Sequence, residues 1–142
     1  MMDLASHHKF IFTAALIVGI LFLVAVIFFF RYSISKVAGS SMEPELYDGD
    51  IMIVDRRNRK YVAGEIVVLF APTGRINVKR ISQCFKDAWD NDPRYWVLGD
   101  NRDHSMDSRE YGAIAAINIL GKVVFTWKRK KSRKLTKTER SS

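Results

Sequence analysis

The stretch "GSSMEPEL" (39–46) places two adjacent serines just before a methionine and a proline. A serine hydroxyl is a weak nucleophile until a base accepts its proton, so a catalytic role requires a partner. The usual base is histidine, and the chain has three: His7, His8 and His104. The first two precede a long apolar segment that separates them from the serines. His104 is therefore the only histidine that the topology makes available.

A hydrolase that used His104 would also need a carboxylate, which Asp100 or Asp103 could supply. The chain lacks the Gly-x-Ser-x-Gly turn that exposes the nucleophile in hydrolases of the α/β type. The Ser-His-Asp arrangement therefore remains an alternative rather than the main hypothesis.

A lysine can also act as the base, provided that it is neutral. Neutrality at physiological pH requires its pKa to fall from about 10.4 by some 2 to 3 units, through desolvation or a local field. Lys79 lies in the apolar stretch "INVKRI" (76–81), which favours such desolvation. Its neighbour Arg80 cannot serve, since a guanidinium stays charged. If this stretch is a strand, Lys79 and Arg80 point to opposite faces.

Two other kinds of site are not predicted. The stretch 100–107 fails the spacing of a calcium loop, because Arg102 and His104 stand at ligand positions. Cys84 is the one cysteine, so it fits no zinc motif and can form no intramolecular disulfide. We predict neither a metal nor an organic cofactor.

The segments that would position these residues are short, rich in Val and Ile, and separated by turn residues. They predict strands at 50–55, 65–70, 76–81, 95–99 and 122–127. Residues 111–120 fit a helix or a strand equally well. Several strands without a long amphipathic helix favour a mainly β fold, with a compact antiparallel β domain over residues 31–127.

An uncharged apolar run, "FIFTAALIVGILFLVAVIFFF" (10–30), precedes that domain. As a helix it would extend about 31 Å, the thickness of the hydrocarbon core of a bilayer. It is longer than the apolar region of about 7 to 15 residues in a cleavable signal peptide. We predict a single transmembrane signal anchor after a short N-terminal segment, residues 1–9. Lys9 and Arg31 bracket the run, so the flanking charges do not fix its orientation.

The formal net charge of +8 is concentrated at one end of the chain. Residues 128–142 hold eight Lys or Arg and one Glu, whereas the preceding 127 residues hold 15 basic and 14 acidic side chains. This segment is too polar to fold alone, so we predict a basic, disordered tail that could contact anionic lipid headgroups. No aromatic residue follows Trp127, and we predict no binding to nucleic acid.

Four sequence blocks, in order after the apolar run, resemble those of bacterial type I signal peptidases, which are membrane-anchored Ser/Lys leader peptidases. The blocks are "SMEPEL" (41–46), "GDIMIV" (49–54), "VKR" (78–80) and "GDNRDHSMDSREYG" (99–112). Only 18 residues separate the third block from the fourth, so the chain is similar to a short form of the family.

The resemblance implies a serine endopeptidase that removes signal peptides by a Ser/Lys dyad mechanism. Ser41 would be the nucleophile and Lys79 the general base. Ser105 would hydrogen-bond the Lys79 amine and orient it. An ion pair between Asp107 and Arg109 would hold the fourth block in shape.

The resemblance also implies pockets that accept small substrate side chains, and Met42, Leu46 and Val78 are near enough in sequence to line them. The substrates would be preproteins that carry signal peptides, bound as an added β-strand at the surface of the lipid bilayer. The implied location is the bacterial cytoplasmic (inner) membrane, with a single span and the catalytic domain on the extracytoplasmic side. An inactive membrane-anchored scaffold of the same fold remains another alternative.

One departure from the family pattern concerns Gly39, two positions before Ser41. Some members place a hydroxyl residue there as an oxyanion donor, and glycine has no side chain to offer. The backbone N–H of Ser41 would be one donor, with the second unassigned. We expect Gly39→Ser to raise turnover modestly, provided that Gly39 does not have a positive φ.

Overall fold

The computed structural model describes residues 4–57, 60–86 and 92–129. These described residues form two compact units, which divide between Tyr32 and Ser33. The first unit is a helix, α1, that spans Leu4–Arg31. Its portion His7–Arg31 is long and apolar enough to cross a membrane, and it is not buried inside the protein. The predicted span, residues 10–30, lies within this helix.

The second unit contains a seven-stranded sheet. Its strands follow the order β1-β2-β7-β3-β4-β5-β6, and the five pairings from β2 to β6 are antiparallel. The mainly antiparallel β fold predicted from the sequence is therefore confirmed. The strands are β1 (Tyr32–Lys36), β2 (Ile51–Asp55), β3 (Ile66–Phe70), β4 (Ile76–Lys86), β5 (Pro93–Leu98), β6 (Ile114–Ala115) and β7 (Ile119–Trp127).

All five predicted strands are present, and three of them are longer than predicted. β5 begins at Pro93. β4 continues to Lys86 and β7 begins at Ile119. The ambiguous stretch 111–120 combines several elements. The short helix α2 (Ser108–Tyr111) ends in it, and β6, a 3-10 turn (Ala116–Asn118) and the start of β7 follow. β1 and β6 are not among the predicted strands. β1 directly follows the apolar run, and β6 has only two residues.

The core consists of two apolar clusters, and β3 contributes to both. Val67 and Leu69 belong to one cluster, whereas Val68 belongs to the other. Successive residues of a strand point to opposite faces of the sheet, so β3 is buried on both sides. Its position between β4 and β7 fixes the location of β4 within the sheet.

The register of β4 sorts its side chains between the two faces. Lys79 pairs with Val67 and Arg80 pairs with Ile66, so the two basic residues point to opposite faces, as alternation predicts. The pairing of β4 with β5 starts at Arg80, opposite Leu98. In the part of the chain that the structure describes, residues 76–79 therefore have β3 on one side and no strand on the other.

Candidate active site

Ser41 lies in the loop between β1 and β2, and Asn101 holds this loop in place. The backbone N–H of Asn101 donates to the Ser41 carbonyl at 3.0 Å. The Asn101 side-chain amide donates to the Ser40 carbonyl at 3.1 Å. These two hydrogen bonds connect residues about 60 positions apart in sequence. They fix the peptide units on both sides of the Ser41 Cα atom.

Lys79 is buried, with 2% of its surface exposed. Its amine donates a hydrogen bond to the Ser105 hydroxyl at 2.9 Å. Burial lowers the pKa of Lys79, because desolvation penalises the charged ammonium. The carboxylates of Asp107 and Glu110 act in the opposite direction, but the pKa remains below the ordinary value of a lysine. The site therefore favours the neutral amine more than water does.

The hydroxyl of Ser105 connects Lys79 to a buried carboxylate. It accepts from Lys79 and donates to Asp107 Oδ2 at 2.8 Å. Asp107 also accepts from the Gly99 N–H at 2.8 Å and from the guanidinium of Arg109 at 2.9 and 3.0 Å. Burial alone would raise the pKa of Asp107, but these hydrogen bonds together outweigh burial and hold its pKa well below the usual range.

Asp107 also starts the helix α2. Its carboxylate accepts from the backbone N–H of Arg109, and its own N–H donates to the Glu110 side chain at 2.9 Å. This is a capping box, which satisfies N–H groups that a helix start leaves unpaired. One carboxylate therefore orders both the helix and the Ser105 hydroxyl.

Gly99 allows the nucleophile loop and the Ser105 segment to approach each other. A Cβ atom at Gly99 would lie 2.6 Å from the Ser41 carbonyl oxygen and closer still to the Ser105 side chain. Real Cβ atoms do not reach such distances from backbone oxygen, so any larger residue would force the two segments apart. Here the glycine is required for space, not for an unusual backbone angle.

Ser41 and Lys79 line the same cavity, which has a volume of about 610 Å³. Among the described residues, no hydrogen bond joins the Ser41 hydroxyl to the Lys79 amine. The structure thus brings the two predicted dyad residues to one cavity without a direct contact between them. Residues 38–41, Thr73, Arg75, Asn77, Lys79, His104 and Met106 line this cavity.

The residues predicted to line substrate pockets lie mostly in the core. Met42 and Leu46 are buried within one apolar cluster, and Val78 packs against that cluster. None of the three is among the residues that line the cavity next to Ser41. Their substrate-binding role stays a prediction, and other side chains form the accessible wall beside Ser41.

His104 also lines the cavity, but its contacts are not those of a catalytic triad. Its Nδ1 lies 3.4 Å from the amide oxygen of Asn101. Asp100, one of the proposed carboxylate partners, instead forms a two-point ion pair with Arg80, at 2.9 and 2.7 Å. Within the described residues, no carboxylate bonds to the His104 ring, and no group of three His, Cys, Asp or Glu side chains could hold a metal ion.

Sequence reasoning missed the positioning roles of Asn101 and of the Arg80–Asp100 ion pair. Asp100 and Asn101 belong to the sequence block 99–112, and this membership is the one sign in the sequence that they have a role. The spacing could not indicate which groups they would bind. Arg80 also donates to the Gly64 carbonyl at 2.8 Å, so it ties β4 to the turn before β3 as well as to the loop at Asp100.

Gly39 has a φ of +85°. This is the left-handed region, where a residue with a side chain is strained. The gain in turnover expected for Gly39→Ser assumed that Gly39 does not have a positive φ. The structure shows that it does, so that gain is no longer expected. The N–H of Gly39 donates to the Asp48 carboxylate at 2.9 Å, so the glycine serves the shape of the loop.

Comparison with known proteins supports the resemblance to signal peptidases. Signal peptidase I of Buchnera aphidicola (subspecies Baizongia pistaciae) is 59% identical over 34 residues, which are 24% of this chain and 11% of that protein. Signal peptidase I of Haemophilus influenzae is 50% identical over 34 residues, 24% of this chain and 10% of that protein. The chain thus matches about a tenth of the length of these curated relatives.

A longer match covers most of the chain. Mitochondrial inner membrane protease subunit 2 of Schizosaccharomyces pombe is 27% identical over 131 residues, 76% of this chain and 73% of that protein. A family model described as Peptidase S24-like matches residues 31–124, which span the β unit from β1 into β7. The chain therefore belongs to the Peptidase S24-like family.

Proposed function

We propose that this protein is a membrane-anchored serine endopeptidase that removes signal peptides, with Ser41 as nucleophile and Lys79 as general base. The observation that carries the proposal is the buried amine of Lys79 in the cavity that Ser41 lines. Its direct partner is the hydroxyl of Ser105 rather than a carboxylate. A lysine in such surroundings is easier to deprotonate than one in water, as a general base requires.

The proposed reaction has two halves. Neutral Lys79 removes the proton of the Ser41 hydroxyl as its oxygen attacks the scissile carbonyl. Lys79 then gives this proton to the leaving amine, the C–N bond breaks, and an ester remains on Ser41. Lys79 next takes a proton from a water molecule, which attacks the ester. The proton returns to Ser41 when the acid product leaves.

Ser105, Asp107 and Arg109 would support this chemistry without touching the substrate. The Ser105 hydroxyl points its lone pair at Lys79 because it donates its own proton to Asp107. Arg109 fixes the Asp107 carboxylate from the other side. In this arrangement the Lys79 amine is held in one orientation, which reduces the reorganisation needed for proton transfer.

The oxyanion of the tetrahedral intermediate would be bound by backbone donors. Among the described residues, the N–H of Ser41 bonds to no protein acceptor, so it is available as one donor. The N–H of Gly39 is already bonded to Asp48. Ser40 lines the same cavity, and we propose its hydroxyl as the second donor.

The substrate would bind as an added strand beside residues 76–79. These residues have no strand partner on the side away from β3 within the described chain, so their backbone groups can pair with an extended peptide. Lys79 ends this free edge, and the cavity that contains Ser41 lies beside it. An extended segment bound there would pass close to the dyad.

The apolar helix α1 and the two relatives named signal peptidase I support the proposed cellular setting. The apolar helix would anchor the protein in the bacterial cytoplasmic membrane, with the β unit on the extracytoplasmic side. Two of the similar proteins are named signal peptidase I, so the proposed substrates are preproteins with signal peptides. Anchoring would raise the effective concentration of enzyme for substrates held in the same bilayer. The basic segment 128–142 would add contact with anionic lipid.

The rival functions have less support from the contacts. A triad through His104 would require a carboxylate on its ring, and the described contact is the amide of Asn101. Burial of the Lys79 amine costs stability, and an inactive scaffold would gain no activity in return. No contact among the described residues favours the His104 triad or the inactive scaffold over the Ser41–Lys79 dyad.

The proposal is tested by cleavage of a model preprotein with the detergent-solubilised full chain. The expected result is cleavage by the wild type and none by Ser41→Ala, with Ser82→Ala as the matched control, since Ser82 is an exposed serine of β4. His104→Ala should retain most of the activity. Loss of cleavage in a folded His104→Ala variant, or normal cleavage by Ser41→Ala, would refute the dyad.

A further inference from the structure

Arg75 places a positive charge in the cavity that contains Ser41 and Lys79. It closes the turn between β3 and β4, where its carbonyl accepts from the N–H of Ala71 at 2.8 Å. Its side chain is exposed and lines the cavity. Within the described residues no acidic side chain pairs with it, and no Asp or Glu is among the cavity-lining residues.

The position of Arg75 just before β4 sets the approximate distance of its backbone from Lys79. Arg75, Asn77 and Lys79 are two positions apart and all line the cavity. Asn77 and Lys79 lie on the same face of β4, as alternation requires, and Arg75 immediately precedes the strand. Four residues of extended chain span about 13 Å, so the Arg75 backbone lies roughly that far from Lys79 along the strand direction. A peptide bound alongside residues 76–79 would have the same rise per residue.

We infer that Arg75 selects substrates with an acidic side chain about three to five residues from the scissile bond. This inference rests on the proposed function, because it assumes that an extended peptide lies along the free edge of β4. An arginine presents several donors to a carboxylate in a fixed plane, and a basic substrate side chain at the same place would be repelled. Asn77, between Arg75 and Lys79, is neutral, so it would not contribute to a preference for charge.

The test uses the full chain in detergent and a set of peptides with Ala at the first and third positions before the cleaved bond. Each peptide carries one Glu, Gln or Lys at a position three to five residues from that bond, on one side or the other. The wild type should prefer Glu over Lys at one such position by about three- to tenfold in kcat/KM, since a partly exposed ion pair is modest. Added salt should reduce this preference.

Substitutions of Arg75 test whether this residue causes the preference for Glu over Lys in the substrate. Arg75→Gln should abolish it, Arg75→Glu should reverse it, and Arg75→Lys should keep most of it. Arg56→Gln is the matched control, since Arg56 is an exposed arginine in the turn after β2 and does not line this cavity. A preference that survives Arg75→Gln, or equal cleavage of the Glu and Lys peptides by the wild type, would overturn the inference.

A binding measurement separates this inference from the proposed reaction. The Ser41→Ala protein should bind the fluorescent Glu peptide more tightly than the Lys peptide, and the Ser41→Ala/Arg75→Gln protein should bind both equally. If the wild type cleaves no peptide, the proposed function fails, and the binding difference still decides the role of Arg75. If cleavage is normal but neither activity nor binding depends on charge, the inference about Arg75 alone is wrong.

Discussion

The amine of Lys79 donates a 2.9 Å hydrogen bond to the hydroxyl of Ser105, although the two residues are 26 positions apart in sequence. Because Ser105 in turn donates to Asp107, its hydroxyl proton is committed and its lone pair faces Lys79. Lys79 is therefore in direct contact with a hydroxyl acceptor, and the Asp107 carboxylate is one hydrogen bond further away. This arrangement orients the amine without a direct ion pair that would hold it charged.

Replacing Lys79 by arginine should abolish cleavage as completely as replacing it by alanine. Arginine keeps the charge and nearly the length of lysine but cannot be deprotonated near neutral pH. Initial cleavage rates of one peptide substrate, with folding checked by circular dichroism, measure this loss. Lys36→Arg, at an exposed position of β1, is the matched control and should remain active. Appreciable activity in a folded Lys79→Arg protein would exclude the role of Lys79 as general base.

Removing the charge of Asp107 should reduce stability and change how stability depends on pH. Asp107→Asn loses the ion pair with Arg109 and weakens the bonds from Gly99 and Ser105, at a cost of about 1.5 to 3 kcal/mol at neutral pH. The pKa of Asp107 is lowered in the folded protein. Its contribution is therefore fully present above the unfolded pKa, near 3.9, and is lost as pH falls through the folded pKa.

The measurement for Asp107 is urea unfolding of wild type and Asp107→Asn at neutral and acidic pH. The difference in the free energy of unfolding should be large at pH 7 and should shrink as the pH falls below about 4. Asp103→Asn is the matched control, because Asp103 is exposed and should show no such difference. A difference between wild type and Asp107→Asn that stays constant with pH would show that the Asp107 carboxylate does not carry the effect.

Adding one methyl group at Gly99 should disrupt the site. The Cβ of Gly99→Ala would meet the Ser41 carbonyl at 2.6 Å and the side chain of Ser105 even closer. Overpacking of this kind costs about 1 to 3 kcal/mol and displaces the segments that carry both serines. We expect a strong loss of kcat with a smaller loss of stability, measured by peptide cleavage and thermal unfolding. Gly19→Ala in α1 has open space around it and should behave like the wild type.

The point at which the basic tail is cut should decide whether the protein loses stability. Lys128 contacts Glu45 at 3.2 Å, and the N–H of Arg129 donates to the buried carboxylate of Asp50 at 2.8 Å. Deleting residues 128–142 should therefore cost about 1 to 3 kcal/mol, mainly because a buried acceptor loses its donor. Deleting only residues 130–142, which lie outside the described part of the chain, keeps both of these contacts, so their contribution to stability should be retained.

These two truncations also test the lipid role of the tail. Deleting residues 130–142 should leave cleavage of a soluble peptide unchanged and should reduce cleavage of a preprotein in vesicles that contain anionic lipid. Added salt should have the same effect on the full chain. If the shorter deletion unfolds the protein, the tail packs on the β unit; if it changes neither assay, the tail has no role at lipid.

The sequence predicts the parts of this fold that depend on local patterns. Period-two alternation correctly predicts that Lys79 and Arg80 face opposite sides, and the uncharged run 10–30 correctly predicts a helix able to span a bilayer. Contacts between distant segments are not encoded in such patterns. The bonds from Asn101 to Ser40 and Ser41 and the space that Gly99 leaves depend on how two loops meet. The backbone angle of Gly39 was likewise left open by its sequence.

Gly39→Ser should lower turnover, contrary to the gain expected from the family pattern alone. At a φ of +85° a side chain costs about 1 to 2 kcal/mol, although no atom lies within 4 Å of the added Cβ. The strain would be relieved by a shift of the loop that carries Ser41. Gly39→Ala is the matched variant, since it carries the same backbone cost without a hydroxyl. If the added hydroxyl acts as an oxyanion donor, Gly39→Ser should be faster than Gly39→Ala although slower than the wild type. Turnover of one peptide by the three proteins decides between these effects, and a serine variant faster than the wild type would show that the backbone cost has been overestimated.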